Sequence, residues 1–380
     1  MNPAPKTAAP RAALNPLNHI PAQILCAQDY EFLARQFIAG PSYAYIAGGS
    51  EHDITAEANL RAFAEGCVQP RLLCDVRDAH TRLNLAGLDL PHPLLLAPVA
   101  FQKLVHPAGE LETARAAAAM QSVLAVSTLA SQPLESVASV PGVYAWFQLY
   151  FQPDRAVTLD LLQRASAAGY RAILLTLDAS IQVPSFRAHR AGFVMPEHCR
   201  PENLAGYPAV TASQPATGES RIFQGVMRHA PRWDDLAWLQ AQTDLPIWVK
   251  GVLHPDDAVA LRERGVSGLV VSNHGGRTLD GAPASLSVLP AIRKAEGDDY
   301  PVMLDSGIRS GMDVFKAIAL GADAVMIGRL QVYALAVAGA LGVAHMLKLL
   351  REELEICMAM SGCANLQAVR QTRLFPSPIE

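Results

Sequence analysis

The chain has 380 residues, 51% hydrophobic and 17% charged, with a formal net charge of −4. That balance excludes a disordered chain and supplies a large apolar core. No run of Lys or Arg gives the electrostatic footprint of a nucleic-acid or anionic-membrane binder, so neither partner is expected. The six cysteines (Cys26, Cys67, Cys74, Cys199, Cys357, Cys363) include no C-x-x-C pair. They predict reduced thiols in a cytoplasmic protein, with no disulfide framework and no metal site.

The opening stretch, "MNPAPKTAAPRAALNPLNHIP" (1–21), is rich in Ala and Pro and has no apolar segment of signal-peptide type. Residues 1–25 are therefore expected to be a mobile tail. A helical segment follows, and residues 26–370 are expected to form one domain, with 371–380 as a C-terminal tail. Past residue 90, apolar runs alternate with helical stretches. The runs are "PLLLAPVA" (93–100), "SVLAVST" (122–128), "VYAWFQLY" (143–150), "RAILLTLD" (171–178), "PIWVKG" (246–251), "GLVVSN" (268–273), "PVMLDSG" (301–307) and "DAVMIGR" (323–329). Their apolar character is continuous rather than alternating, as in parallel strands covered on both faces. Between them, "GELETARAAAAM", "DRAVTLDLLQRASAAG", "HPDDAVALRERG" and "SGMDVFKAIALG" carry helical spacing with caps and terminal glycines. Strand and helix units in this number predict an α/β fold that closes as a (β/α)8 TIM barrel, with an N-terminal helical extension.

Two stretches fall outside the rhythm. The interval 181–233, rich in Pro, Gly and Ser, is expected to be a long loop after strand 4 that acts as a lid. "LQVYALAVAGALGVAHML" (330–347) is long enough for a membrane span, but Gln331 and His345 interrupt it and Ala and Gly dominate. A buried helix is the expectation.

In a barrel of this kind the active site lies at the C-terminal ends of the strands. Those ends read Ala100, Ser127-Thr128, Gln148 to Tyr150, Thr176 to Asp178, Lys250, Ser272 to His274, Asp305 and Arg329. Nearly every strand finishes in a polar or ionisable residue, so together they predict a site. Gly307 and Gly311, a helix start near Gly311, and the Gly328-Arg329 strand end form a phosphate cradle, to which Arg309 and Arg329 add charge. Lys250 suits either anion stabilisation or a Schiff base. His274, with Asp178 across the mouth, suits acid/base work. Arg277 offers the planar fork that holds a carboxylate.

The motifs "SNHGGRTLD" (272–280), "VKGV" (249–252), "LDSGIRSGMDVFKAIALGA" (304–322), "FQLY" (147–150), "APVAFQKLVHPAGE" (97–110), "YAYIAGGSEHDITAEANLRAF" (43–63) and "MAMSGC" (358–363) together resemble the FMN-dependent 2-hydroxy-acid oxidase and dehydrogenase family. The resemblance implies oxidation of an L-2-hydroxy acid to a 2-keto acid, with O2 or another acceptor reoxidising FMN. It implies that His274 is the base and that Asp178 stabilises the imidazolium. Arg277 and Tyr45 would bind the carboxylate, Tyr150 the 2-hydroxyl, and Lys250 would sit at the flavin N1–C2 carbonyl. Ala100, Ser127, Gln148, Thr176 and Ser272 match contacts of the flavin ring and ribityl chain. Asp305, Gly307, Arg309, Gly328 and Arg329 match the ribityl and phosphate end. A homotetramer or larger assembly is also implied.

The chain departs from the family pattern twice. Ser185 stands where the family usually has an arginine, seven residues after Asp178, and Leu129 stands where a pocket tryptophan is frequent. On an extended loop, a side chain two residues on points the same way, about 7 Å further along. Two outcomes follow: Arg187 reaches back into the mouth and replaces the missing arginine, which is the expectation, or the pocket grips carboxylates weakly and accepts a larger, more apolar substrate in the space that Leu129 opens. Two other readings compete: a Schiff-base aldolase using Lys250, and an FMN-binding barrel without turnover.

Overall fold

The computed structural model describes residues 13–85, 87–208, 216 and 218–375. Eight parallel strands close into one barrel: β1 (Leu94–Leu96), β2 (Val123–Ser127), β3 (Tyr144–Leu149), β4 (Ile173–Thr176), β5 (Ile247–Val252), β6 (Gly268–Val271), β7 (Val302–Leu304) and β8 (Ala324–Ile327). Each pairs with its neighbour in sequence, and β8 closes on β1 through Val325 opposite Leu94. Every expected apolar run supplies one strand, and the fold is the expected (β/α)8 barrel.

Strand burial has two faces. Trp146, Leu174, Trp248, Val270, Met303 and Met326 belong to one inner cluster, with the Trp146 and Trp248 rings 4.9 Å apart. Their strand neighbours, such as Phe147, Leu175, Val249, Leu269 and Leu304, pack outward with the helices. Alternation is thus present in space, but both faces need apolar side chains, which is why the sequence shows continuous runs. Leu85 and Leu90, from the hairpin Leu83–Leu85/Leu88–Leu90, join the inner cluster beside Val123 and Ala324, which begin their strands. The barrel is plugged at that end and free for ligands at the other.

The apolar stretch 330–347 lies in a helix spanning Arg329–Ser361, interrupted by non-helical backbone at Ala338 and Gly339. Among the described residues this is the one helix long and apolar enough to cross a membrane, and 78% of its apolar window is buried inside the protein. It is a core helix, as expected. The tails are shorter than expected. Residue 13 onward is held to the body by Leu14 N–H on Gln36 O and Leu17 N–H on Val337 O, with Ile24 buried. At the other end, Leu374–Phe375 pairs with Cys67–Val68. The remaining tail residues, 1–12 and 376–380, lie outside the described residues, as does part of the expected lid (209–215 and 217).

The interval after β4 is not a plain loop. It holds a helix at Phe186–Arg190 and short turns of helix at Glu202–Leu204, Arg221–Gly225 and Val226–His229. Ile222, Val226 and His229 reach over the barrel mouth, so the described part has the placement of a lid.

Candidate active site

The C-terminal strand ends open into a cavity of about 1510 Å³. Tyr45, Ala100, Ser127, Tyr150, Thr176, Lys250, His274, Arg277, Asp305, Gly307, Arg309, Gly328 and Arg329 all line it. Gln148, Asp178 and Ser272 stand directly behind this lining. Gln148 Oε1 accepts from Ser127 Oγ at 3.1 Å, and Ser272 Oγ accepts from Lys250 Nζ at 2.8 Å. Gly311, Ser185 and Arg187, also singled out in the sequence, do not line the cavity.

At one end of the cavity, three consecutive residues adopt left-handed backbone: His274 (φ 60°), Gly275 (φ 68°) and Gly276 (φ 75°). A histidine tolerates this conformation at a cost, whereas most side chains could not fit here. A Cβ on Gly275 would meet Arg329 Nη1 at 2.6 Å, and one on Gly276 would meet the Ala56 backbone nitrogen at 2.5 Å. The glycines therefore give both the turn and the room that bring His274 and Arg277 to one place.

His274 Nδ1 lies 2.9 Å from Asp178 Oδ1, and its Nε2 lies 3.4 Å from the Tyr150 hydroxyl. Burial opposes ionisation of Asp178, but the charge and hydrogen bond of His274, with Lys250 beyond, hold its carboxyl below the usual carboxylate range. Burial, reinforced by the Asp178 charge, raises the Tyr150 phenol well above its ordinary value, so it keeps its proton. A carboxylate at Nδ1 selects the tautomer protonated there and leaves Nε2 as acceptor. Lys250 Nζ also lies 3.2 Å from Asp305 Oδ2, with both side chains almost fully buried. These contacts suit an ammonium that stabilises an anion, the first of the two roles open to it.

Arg277 donates from Nη1 to Tyr45 O at 2.9 Å and Gly48 O at 3.0 Å. Its guanidinium lies 4.8 Å from the centre of the Tyr45 ring, which stacks on Phe193 at 4.3 Å. Its Nε and Nη2 have no partner among the described residues, leaving one edge of the fork for a bidentate anion.

At the opposite end, Arg309 donates from Nε to Glu31 Oε2 at 2.6 Å. Between the two ends, Arg329 donates to the carbonyls of Ile46, Gly275 and Gly48 at 2.9, 2.8 and 2.7 Å. Burial, with the Arg277 charge nearby, pushes the Arg329 guanidinium down to about 10. Two buried arginines, of which only Arg309 is paired with a carboxylate, leave an excess of positive charge that a phosphate would balance. The adjoining helix, Gly311–Ala319, starts with a Ser310–Asp313 capping box. Toward the barrel centre, Gln148 Nε2 and Thr176 Oγ1 are buried without a hydrogen-bond partner. Unpaired polar atoms in and just behind the lining of a broad cavity suit the polar edge of a planar heterocycle. Phosphate end, lysine and orphaned amide together fit FMN.

Arg187 requires a correction. The chain is not extended here, because Ser185 caps a helix that begins at Phe186. Two residues of helix rotate a side chain by about 200°, so Arg187 cannot share the direction of Ser185. Its Nε pairs with Asp53 Oδ2 at 2.8 Å, outside the cavity lining. Leu129 does line the cavity, as expected of a pocket position.

Several site-building residues escape a reading of strand ends. Asn59 and Asn273 exchange amide hydrogen bonds, both at 2.8 Å, and dock the helix Ile54–Glu65 beneath the His274 loop. Asp280 accepts from His52 N–H and Thr55 N–H at the start of that helix. Asp280 closes the motif "SNHGGRTLD", but its partners lie more than 200 residues away, so no local signal gave its role. Glu31 has no sequence signal at all.

Comparison with known proteins bears on this geometry. Residues 34–376 match the model of a family described as FMN-dependent dehydrogenase. The chain belongs to the FMN-dependent dehydrogenase family. With membership come the flavin and an oxidoreductase activity on 2-hydroxy acids, as the motifs led us to expect. Among relatives, an L-lactate oxidase of Alicycliphilus denitrificans is 62% identical over 96% of this chain and 100% of its own length. Glycolate oxidase 1 of Zea mays is 39% identical over 93% of this chain and 96% of its own. Among solved structures, a mandelate oxidase with (S)-2-phenylpropionate superposes with a TM-score of 0.84 at 38% identity, covering 93% of this chain and 99% of that one.

Proposed function

We propose that this family member oxidises an aliphatic L-2-hydroxy acid, L-lactate foremost, to the 2-keto acid, with O2 as acceptor and hydrogen peroxide as second product. The observation that carries the proposal is the His274–Asp178 pair, with its free Nε2 in the same cavity as the open edge of Arg277. Arg277 takes the substrate carboxylate on Nε and Nη2, and Tyr45 closes over it. Tyr150, kept protonated, donates a hydrogen bond to the 2-oxygen. His274 Nε2 accepts the proton that the substrate gives up, and Asp178 stabilises the resulting imidazolium. FMN, when bound, would supply the two-electron acceptor for the substrate and the donor to O2. Lys250, anchored by Asp305 and Ser272, would offer positive charge to the flavin ring, with Ala100, Ser127 and Thr176 lining its seat and Gln148 behind them. Asp305, Gly307, Arg309, Gly328 and Arg329 would hold the ribityl and phosphate end.

Leu129, Phe101, Ile181, Ile222 and Val226 give the cavity an apolar wall, which supports an aliphatic substituent on C2. The 62% identity to an L-lactate oxidase supports the same class. With Arg187 turned away and Leu129 in the wall, homologues with longer side chains than lactate belong to the substrate range. A homotetramer or larger assembly and a cytoplasmic location complete the proposal. The six cysteines, all free, support a reducing compartment.

Oxygen uptake with L-lactate, D-lactate and a series of longer L-2-hydroxy acids tests the proposal. Uptake with the L acids and none with D-lactate is the expected result. Reduction of an artificial dye without oxygen uptake would overturn the choice of acceptor.

A further inference from the structure

Arg187 lies outside the cavity lining and is paired with Asp53, at the end of the turn that begins at Gly48. The turn from Gly48 to Asp53 is a hub. Gly48 O accepts from both Arg277 Nη1 and Arg329 Nη2. Ser50 N–H donates to Gly276 O at 2.7 Å, on the far side of the His274 loop. Two of its residues, Glu51 (φ 42°) and Asp53 (φ 68°), are left-handed without being glycine. Such backbone persists only where the surroundings enforce it.

The enforcement comes from the segment after β4. Glu51 N–H donates to Pro184 O at 2.8 Å, and Phe186 N–H donates to Glu51 O at 3.3 Å. Ser185, occupying the usual arginine position, packs so closely that a Cβ on Gly48 would lie 2.7 Å from its Oγ. The one charged tie is Arg187. Asp53 Oδ1 accepts from Gly49 N–H at 2.5 Å while its Oδ2 holds Arg187, and the Asp53 side chain is only 10% exposed. Among the described residues, Asp53 has no other cationic partner within ion-pair distance. Without Arg187, a nearly buried carboxylate loses its counter-charge, and the stable response is to turn toward water and release Gly49. Gly48 O would then shift, and with it the Arg277 guanidinium that it orients.

We infer that Arg187 is a positioning residue: through Asp53 and the Gly48–Gly49 turn it sets the direction of the Arg277 fork toward the substrate carboxylate. The inference rests on the proposed role of Arg277. It gives the chain a use for a second arginine in this segment that needs no contact with substrate.

The test is steady-state kinetics with L-lactate, together with flavin-absorbance titration by oxalate, a dicarboxylate probe of the same anion site. The set is wild type, Arg187→Ala, Asp53→Asn and the Arg187→Ala/Asp53→Asn double variant. Residues in one network couple strongly, so Arg187→Ala is expected to raise KM and the oxalate Kd by roughly three- to thirtyfold. Its kcat stays within about threefold and its FMN content is full. The double variant is expected to be no worse than the weaker single one, because both act along one path. Arg187→Lys is expected to recover part of the loss. Unchanged KM and Kd in Arg187→Ala would overturn the inference. So would an undiminished Arg187 effect in the Asp53→Asn background, which would mean direct contact with substrate. If Arg187→Ala fails to fold, Arg187→Ala/Asp53→Ala removes both charges and leaves no orphan, and the same KM criterion applies. A wild type inactive on every 2-hydroxy acid would sink the function proposal itself, a result distinct from an active enzyme indifferent to Arg187.

Discussion

The two ends of the cavity hold their cations differently. At the His274 end each reactive group is anchored on one side and open on the other: His274 by Nδ1 on Asp178, Arg277 by Nη1 on two carbonyls. At the Arg309 end the guanidinium is already engaged by Glu31, and Arg329, which lies between the ends, is engaged by three carbonyls. The first arrangement leaves proton and anion sites free for a substrate that arrives and departs at every turnover. The second fixes charges for a phosphate that stays. Damage at one end should therefore stop turnover and spare the flavin, and damage at the other should release the flavin.

The largest effect that sharpens this contrast is expected from His274→Ala. Loss of the proton acceptor should slow anaerobic flavin reduction by about 10²–10⁴-fold, with the FMN-to-protein ratio unchanged. Full-speed reduction would remove His274 from the chemistry. Arg309→Glu should show the reverse pattern. Placing a carboxylate beside Glu31 and the phosphate site should weaken FMN binding by at least about a hundredfold, read as colourless protein after gel filtration. Retention of flavin would break the division between the two ends.

Asp178→Asn should slow reduction by roughly ten- to a hundredfold, the 1.5–3 kcal/mol of a hydrogen bond to a charged group, since an imidazolium still forms but without its counter-charge. The same pair carries a pH signature. The Asp178 carboxyl is held below its ordinary value. Its stabilising contribution is complete above the free-carboxyl value of about 3.9 and is lost as pH falls through the lower folded value. The acid side of the thermal-stability profile should therefore be shallower in Asp178→Asn than in wild type. The smallest effect is expected from Tyr150→Phe, which removes one neutral hydrogen bond and should cost roughly two- to tenfold in flavin reduction.

How much of this was legible in the sequence follows from the range of the forces involved. The strands could be read because a parallel barrel buries both faces, so the apolar runs are local and unbroken. Their polar ends could be read because the mouth is the one place where a buried strand gains from ending in Lys250, Asp305 or Ser272. Arg187 could not be placed by the same logic. Its direction hinged on whether the chain after Asp178 is extended or helical, and Ser185 as a helix cap decides that with a single side-chain bond to Ala188 N–H. The Asn59–Asn273 pair and the Glu31–Arg309 pair join segments more than 200 residues apart. Only the closed barrel brings them together, so spacing along the chain carries no trace of them.

The central claim is that one cavity holds FMN at one end and strips a 2-hydroxy acid at the other. Anaerobic mixing of the purified yellow protein with L-lactate tests it most directly, with flavin absorbance followed before and after air is admitted. Rapid bleaching is expected in the absence of oxygen, then return of the yellow colour with formation of hydrogen peroxide. A protein that binds FMN but is bleached by neither L-lactate nor any longer L-2-hydroxy acid would contradict it.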